Sequence, residues 1–186
     1  INLNEMSRKY KMANPEGMYF VSFAVVYWLD VFVREEYMVI VADSLNFCSR
    51  EKGLELFGYC IMPSHIHIIF RDSNNDPSKL LKEFKTHTSK SLRKAIEENP
   101  TESRKEWLLW MMEQAAKKKS NVSNYQFWQH HNKPIELWSN AEIGQKMDYM
   151  HSNPVVAGFV SKPEDWKYSS AGDYAGIKGQ VELCVL

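Results

Sequence analysis

The spacing of apolar and polar positions predicts a chain that combines short strands with longer helices. Runs rich in β-branched and aromatic residues, bounded by turn-forming residues, are typical of buried strands. Apolar positions three and four residues apart predict amphipathic helices instead. By these criteria we expect strands over 17–28, 54–61 and 65–71, and helices over 33–50, 78–98 and 104–119.

The C-terminal part of the chain predicts two further short strands and one more helix. The strands cover 125–131 and 135–138, after a helical insertion around 100–124. Ser139 and Glu142 form a capping-box pattern that opens a helix to about Asn153, before Pro154. The tail looks ordered but not regular. This order indicates one α+β domain over 1–186, with a split β-α-β core, an antiparallel sheet and helices on one face, plus a C-terminal helix that carries Tyr149.

The composition is that of an ordinary globular protein, with 44% hydrophobic and 25% charged residues among 186. Basic and acidic residues number 23 each, which argues against a protein that coats nucleic acid by bulk charge. The longest apolar stretch, 18–29, is too short for a membrane helix, and no secretory signal is visible. Three cysteines without a C-x-x-C pattern favour free thiols. We therefore expect a cytoplasmic protein with no membrane partner.

The tripeptide His65-Ile66-His67 is the most informative part of the sequence. On a strand it directs both imidazoles to one face, about 6–7 Å apart, with Ile66 on the other face. Burying two histidines on one face is costly unless a ligand satisfies their nitrogens. The pattern therefore predicts a site for a metal ion or a polyphosphate.

The helix predicted after Ser139 carries a candidate nucleophile. Gln145, Tyr149 and Asn153 share one face because they are four residues apart. A tyrosine hydroxyl beside a metal held by two histidines is chemically suited to attack phosphorus, and Asn153 offers a carbonyl oxygen as a third ligand. This donor set suits Mg²⁺ or Mn²⁺ when phosphate completes the shell, although imidazoles also accept Zn²⁺. A tyrosine on an amphipathic helix is more often a packing residue.

The helix predicted over 78–98 carries a local excess of positive charge. Residues 76–94 include six basic and only two acidic residues, a moderate signal for nucleic-acid binding. The more frequent meaning of such a stripe is a solvated helix face. Aromatic residues near 125–128 are available to stack on unpaired bases, or to pack in the core. The candidate DNA-binding residues are Lys82, Lys85, Lys90 and Arg93.

Other polar positions are weaker candidates. His130 and His131 are neighbours on a predicted strand and point to opposite faces, so at most one would join the site. His151 projects from a different side of its helix than Tyr149. We interpret these three histidines as structural or surface residues. Residues 1–16 are interpreted as a basic arm containing Arg8, Lys9 and Lys11.

Two segments resemble the motifs of a known family. Residues 59–67, YCIMPSHIH, are similar to the His-hydrophobic-His (HUH) segment of the IS200-like, single-tyrosine transposases. Residues 148–158, DYMHSNPVVAG, resemble their tyrosine helix in the form of the REP-associated tyrosine transposases. Residues 84–89 and 165–171 also look like that subgroup, so the resemblance extends over about 17–176.

The resemblance implies a ferredoxin-like core with the histidine pair on a central strand. It implies that His65, His67 and Asn153 bind Mg²⁺ or Mn²⁺, with Asn153 standing where the insertion-sequence branch usually has Gln. Tyr149 would attack single-stranded DNA that carries a hairpin, REP-like or from an element end. The products would be a 5′-phosphotyrosine link and a free 3′-OH that can later rejoin strands. The family includes homodimers that act in trans, and a monomer acting in cis is equally compatible with this sequence.

Two other interpretations stay open from the sequence. The first is a metal-dependent nuclease that uses a bound water and forms no covalent adduct, with Tyr149 only structural. The second is a non-catalytic descendant that binds DNA hairpins without cutting them. The presence of His65, His67 and Tyr149 together argues against a decayed enzyme. The sequence names neither the proton acceptor for Tyr149 nor the target DNA.

Overall fold

The computed structural model of the chain describes residues 12–118 and 124–186. Its sheet has four strands in the order β2-β3-β1-β4, and every neighbouring pair is antiparallel. β1 and β2 flank β3, so the connection between them crosses over a strand, as the split β-α-β prediction requires. The strands are β1 (Met18–Ala24), β2 (Leu54–Ile61), β3 (His65–Asp72) and β4 (Ile135–Leu137).

Five α-helices accompany the sheet in the described residues. The α+β prediction is therefore confirmed, and α4 is the helix that carries Tyr149. Short 3₁₀ turns lie at Val26–Trp28, Val31–Val33 and Pro163–Asp165. The helices are α1 (Glu35–Glu51), α2 (Pro77–Glu98), α3 (Lys105–Lys117), α4 (Asn140–Val156) and α5 (Ala171–Tyr174).

The sheet has an apolar core on each face. Odd-numbered residues of β1, such as Tyr19 and Phe23, pack with α1, α2 and α3. Phe20 and the next even position, Ser22, face α4, whose Met147 and Met150 fill the smaller core. Each large apolar side chain buried in this way stabilises the fold by roughly 1.5–3 kcal/mol. The helix bearing Tyr149 thus lies on the sheet face opposite the other long helices.

Local sequence signals set the starts of two helices. Asp76 caps α2 by accepting a hydrogen bond from the backbone N–H of Lys79, and Pro77 occupies the first turn. Ser139 and Glu142 form the expected capping box at the start of α4. The prediction of the capping box is confirmed, and it fixes the register in which α4 presents its side chains.

Several predicted boundaries are wrong. β1 ends at Ala24 rather than at residue 28, because the chain turns at Tyr27 and Trp28 with φ of 55° and 57°. Residues 125–131 form no regular strand and contribute only an isolated bridge between Val25 and Trp128. The backbone of this segment is bonded instead to separate elements, including Met112 of α3.

The C-terminal part is also more regular than predicted. Pro154 does not end α4, which continues to Val156. Proline removes only one helical hydrogen bond, and Pro154 lies close to the C-terminal end of α4. The last turn therefore forms without that bond, and the Ala157 N–H donates to the carbonyl of Asn153. The tail contains α5, and Ser169 pairs with Cys60 at the edge of β2.

The remaining expectations concern parts at the periphery. The proposed insertion contains α3, whose Leu108 and Met112 join the larger core. The basic residues Arg8, Lys9 and Lys11 lie outside the described residues. No helix within 12–118 or 124–186 is long and apolar enough to cross a membrane. The three cysteines are free thiols, as expected.

Candidate active site

β3 holds the two histidines side by side on the face that α4 covers. The ring centroids of His65 and His67 are 4.8 Å apart, with the ring planes at 85°. The prediction that both imidazoles share one face is confirmed. β3 lies between β1 and β2, so its backbone is hydrogen-bonded on both sides and holds the pair in a fixed position.

His67 is buried and only partly satisfied. Its Nδ1 lies 2.6 Å from Ser22 Oγ on β1, while its Nε2 is buried and has no hydrogen-bond partner among the described residues. Burial, together with the neighbouring His65, lowers the pKa of His67 to about 3, so the imidazole is neutral at pH 7. If Nδ1–H donates to Ser22 Oγ, the Nε2 lone pair is left free for a cation.

His65 is less enclosed than His67. Its Nδ1 lies 3.2 Å from Ser64 Oγ, and its ring makes an edge-to-face contact with Trp28 at 5.4 Å between centroids. Burial lowers the pKa of His65 as well. Both imidazoles are therefore held in the neutral form, which is the form that ligates metals.

Tyr149 reaches the histidine pair from α4. Its ring centroid is 5.6 Å from that of His67 and 6.0 Å from that of Phe20, both in edge-to-face geometry. Its side chain is 50% exposed, whereas Met147 and Met150 on the same helix are buried against the sheet. The helix is thus anchored by its methionines, while the tyrosine stays open to a substrate.

Asn153 lies one turn beyond Tyr149 on α4. Its side-chain Nδ2 is buried and has no hydrogen-bond partner among the described residues. The two ends of an amide are interchangeable by rotation, and the rotated form places the carbonyl oxygen at this buried position. A buried oxygen acceptor without a donor is what a cation ligand requires. The described residues contain no cluster of three or more His, Cys, Asp or Glu suited to a metal.

Three residues of this neighbourhood were missed in the sequence. Ser22 holds His67, Trp28 contacts His65, and Lys146 lies beside Tyr149. The ammonium of Lys146 is 5.8 Å from the centroid of the Tyr149 ring. The spacing of three between Lys146 and Tyr149 could have shown this contact, because residues three apart are neighbours on a helix. Nothing in the sequence indicated the other two.

The predicted DNA-binding residues of α2 differ in accessibility. Lys82 and Lys90 are exposed and line a groove of about 430 Å³ between α2 and residues 125–132. Lys85 lies in the wall of this groove, where its ammonium donates to Gln129 O at 2.9 Å and to Asn132 Oδ1 at 2.5 Å. Burial lowers the pKa of Lys85 to about 8. The groove therefore presents two exposed lysines and a third that stabilises its wall.

Arg93 is occupied by contacts within the protein. Its Nε donates to Glu97 Oε1 at 2.7 Å, and its guanidinium lies 4.2 Å from the centroid of the Tyr125 ring. Trp128 is buried and donates from its indole to Thr88 Oγ1. Its role is core packing, the alternative to base stacking that the sequence left open.

Three other histidines lie on elements other than β3. His151 Nε2 is 2.8 Å from Ser170 Oγ, which also bonds the backbone of Tyr59, so His151 fastens α4 to β2 through the tail. Burial lowers its pKa to about 4. The interpretation of His151 as structural agrees with these contacts. His130 and His131 line a second groove, next to Trp28.

Comparison with known proteins gives the family. The model of the IS200-like transposase family matches residues 19–125, more than half of the chain. The chain belongs to the IS200-like transposase family. The match includes the histidine pair and ends before Tyr149. The resemblance that the motifs suggested is confirmed, and the protein is an enzyme of a family that acts on DNA.

Two relatives extend the likeness of this transposase to its C-terminal part. A Haemophilus influenzae (strain ATCC 51907 / DSM 11121 / KW20 / Rd) protein assigned to the REP-associated tyrosine transposases is 25% identical over 154 residues, covering 78% of each chain. A solved structure, described as a REP-associated tyrosine transposase bound to a REP hairpin, aligns with a TM-score of 0.59 and 16% identity. It covers 91% of this chain and 87% of that one, and shows the same fold.

Proposed function

We propose that this protein is a metal-dependent transesterase that cleaves and rejoins single-stranded DNA next to a hairpin, through a 5′-phosphotyrosine intermediate. The observation that carries the proposal is the contact between Tyr149 and His67, 5.6 Å between ring centroids, on a sheet face that also holds His65. A half-exposed tyrosine next to neutral imidazoles with an unsatisfied nitrogen fits a nucleophile beside a cation site.

The residues present fit Mg²⁺ or Mn²⁺. His65 and His67 would bind the ion through imidazole nitrogen, and Asn153 through its amide oxygen. The unpartnered Nε2 of His67 and the buried amide of Asn153 support this assignment, because each loses hydrogen bonding to water without gaining a protein partner. When bound, the ion would polarise the scissile phosphate and hold it in line with the attacking oxygen.

The covalent step is a balanced exchange of phosphodiester bonds. The Tyr149 oxygen attacks phosphorus, a Tyr–O–P bond forms, and the bond from phosphorus to the 3′-oxygen breaks. The phenolic proton is transferred in the course of the reaction to the leaving 3′-oxygen. The reverse attack by a 3′-OH restores DNA and releases Tyr149. Because one ester replaces another, no external energy source is needed.

Lys146 adds positive charge where the phosphate would approach. Its ammonium lies 5.4 Å from the Phe20 ring centroid and 5.8 Å from that of Tyr149. A cation at this position favours the approach of an anionic substrate and stabilises negative charge that develops there. The contact of Tyr149 with His67 of its own chain supports reaction in cis by one protomer, without excluding a homodimer. We place the reaction in the cytoplasm, where the DNA substrate is found.

The single-stranded hairpin as substrate is supported by the likeness to a structure bound to a REP hairpin. In this chain the exposed Lys82 and Lys90 would contact the DNA backbone along the groove beside α2. Lys85 keeps the groove wall in place. Arg93 is proposed as a contributor to the positive field of the groove rather than as a direct contact, since its guanidinium is held by Glu97 and Tyr125.

The proposed reaction is tested by incubating the protein with labelled hairpin DNA from the flanks of its own gene and Mn²⁺, followed by a denaturing protein gel. We expect label to migrate with the protein. Cleaved DNA without a protein adduct would instead indicate a nuclease that uses a bound water. Binding without cleavage, on several hairpins that carry single-stranded extensions, would indicate a non-catalytic hairpin-binding protein.

Ser22→Ala is expected to weaken Mn²⁺ binding by about 10- to 100-fold, because the partner of a ligating imidazole fixes its orientation and tautomer. Isothermal titration with Mn²⁺ measures the change. Ser44→Ala is the matched control, since Ser44 Oγ donates to the Ile40 carbonyl within α1, away from the histidine pair. An unchanged affinity in Ser22→Ala would show that the contact with His67 does not position a ligand.

The double variant Lys82→Gln, Lys90→Gln is expected to weaken hairpin binding and to lower the slope of log affinity against log salt by about 1–2, since each phosphate contact contributes up to about 0.9. Fluorescence anisotropy at several salt concentrations measures both. Lys94→Gln is the control, because Lys94 lies on the same helix but pairs with Glu98. Equal salt slopes in all three proteins would exclude these lysines as phosphate contacts.

A further inference from the structure

Two large aromatic side chains lie exposed beside the histidine pair. Trp28 is 60% and Tyr27 is 39% exposed, although both follow within four residues of the end of the buried strand β1. The Trp28 ring contacts the edge of His65 at 5.4 Å between centroids, with 72° between the planes. The Trp28 indole keeps most of its surface in water, so its burial contributes little stabilisation. Its position next to a candidate metal ligand therefore needs another explanation.

The backbone that presents these rings is in an unfavourable conformation. Tyr27 and Trp28 have φ of 55° and 57°, a region that side-chain sterics disfavour for any residue except glycine. Such conformations persist where the surrounding structure imposes them, and they cluster at functional sites. Two consecutive aromatic residues in this region indicate that the turn is shaped to hold their rings outward.

Hydrogen bonds join this turn to the turn that precedes His65. Val25 N–H donates to the Ser64 carbonyl at 2.9 Å, and Phe32 N–H donates to the Pro63 carbonyl at 2.8 Å. Trp28 N–H closes the turn on the Val25 carbonyl at 3.0 Å. The Trp28 ring is thereby held at a fixed place relative to the histidine pair, as a binding surface for one part of a substrate would require.

A groove continues from the two rings. It measures about 370 Å³ and is lined by Tyr27, Trp28, Lys118, Gln129 and His131 among others. Lys118 Nζ is 5.1 Å from the Tyr27 ring centroid. Gln126, Gln129 and His130 line both this groove and the basic groove beside α2. One chain segment thus separates two grooves that together lead from Lys82 and Lys90 to Trp28, whose ring contacts His65.

We propose that Trp28 is a stacking platform for an unpaired base next to the phosphate that Tyr149 attacks. Tyr27 and Lys118 hold the following nucleotide in the second groove. The proposal rests on the proposed function and assigns the residues that position the strand. An aromatic face, a neighbouring cation and an open groove together suit single-stranded DNA, whose bases stack on aromatic rings while its phosphates attract cations. Successive nucleotides are spaced closely enough, about 3.4 Å in a stacked strand, for a base on Trp28 to adjoin a phosphate at His65.

The test is a double-mutant cycle between the protein and the DNA. The probe is a fluorescein-labelled hairpin with a single-stranded extension from the gene's own flanks, in which each extension nucleotide in turn is abasic. Affinity is measured by anisotropy in the Tyr149→Phe background with EDTA, so that neither cleavage nor metal contributes. With Trp28 present, we expect one abasic position to lose roughly 10-fold in affinity. The Trp28→Ala protein should bind intact DNA with the same roughly 10-fold lower affinity. Making that one position abasic should then lower its affinity no further.

Variants separate stacking from a structural role. Trp28→Phe keeps an aromatic face and should retain much of the affinity and the same abasic position. Trp138→Ala, which removes a 74% exposed tryptophan at the end of β4, should leave binding unchanged. A Trp28→Ala loss of the same size for every abasic probe would mean that Trp28 only shapes the protein, and this would overturn the proposal. Circular dichroism melting identifies any variant that fails to fold.

The outcomes also separate this proposal from the proposed function. A Tyr149-dependent adduct whose cleaved phosphate adjoins the coupled base supports both. An adduct with no base coupled to Trp28, or with the coupled base far from the cleaved phosphate, overturns the platform and leaves the reaction standing. Coupling without any adduct in the wild-type protein supports stacking and overturns the reaction. Neither adduct nor coupling overturns both.

Discussion

Tyr149→Phe is expected to abolish the covalent protein–DNA adduct, with a loss of at least about 1,000-fold, while hairpin affinity stays close to that of the wild type. The reason is that phenylalanine keeps the ring contacts with His67 and Phe20 but has no oxygen to attack phosphorus. Removing a covalent nucleophile typically costs several powers of ten in rate. The adduct is quantified on a denaturing gel, and hairpin affinity by anisotropy.

A second tyrosine provides the control for this variant. Tyr174 is 49% exposed, close to the 50% of Tyr149, but its hydroxyl donates to the Phe57 carbonyl on the edge of the fold. Tyr174→Phe is expected to lose about 1 kcal/mol of stability with its hydrogen bond and to form the adduct normally. An adduct that persists in Tyr149→Phe would assign the nucleophile to another residue.

His67→Ala is expected to remove the stabilisation of the protein by Mn²⁺. A ligand at 100 times its dissociation constant stabilises a folded protein by about 2.7 kcal/mol, which raises the melting temperature of a domain of this size by roughly 5–10 °C. We expect this rise in the wild type and none in the variant, because His67 supplies a buried nitrogen that has no hydrogen-bond partner within 12–118 and 124–186. Adduct formation should fall by at least about 100-fold.

The comparison in this experiment is His87→Ala on α2, where the histidine is exposed and lies on the far side of the sheet from α4. It should keep the full Mn²⁺-dependent rise in melting temperature. Equal rises in the wild type and in His67→Ala would show that the ion binds elsewhere. No rise in either protein, with adduct formation intact in the wild type, would show that the reaction proceeds without the proposed site.

The alternation of side chains along a strand was enough to predict that His65 and His67 share one face, because this depends on two residues and one periodicity. The same holds for the capping box at Ser139 and for the shared face of Tyr149 and Asn153, which depend on helical spacing alone. Nothing in the sequence set the distance from Tyr149 to His67, since it depends on how Met147 and Met150 pack on the sheet.

The features that sequence analysis missed depend on contacts between distant segments. Lys85 was predicted to bind DNA together with Lys82 and Lys90, but its ammonium donates to Gln129 and Asn132, more than 40 residues further along the chain. The turn at Tyr27 and Trp28 was read as strand because its residues have high β-propensity, and hydrogen bonds to Pro63 and Ser64 override that preference. Tertiary contacts of this kind leave no local signal in a single sequence.

The most direct test of the central claim is to identify the residue that carries DNA. The covalent complex is digested with nuclease and trypsin, and the peptides are analysed by mass spectrometry. Trypsin releases residues 147–167 as one peptide, because Pro163 blocks cleavage after Lys162. Tyr149 is the sole tyrosine in this peptide. We expect a nucleotide linked through phosphate to Tyr149 in this peptide. A nucleotide on any other residue, or cleaved DNA with every peptide unmodified, would contradict the account.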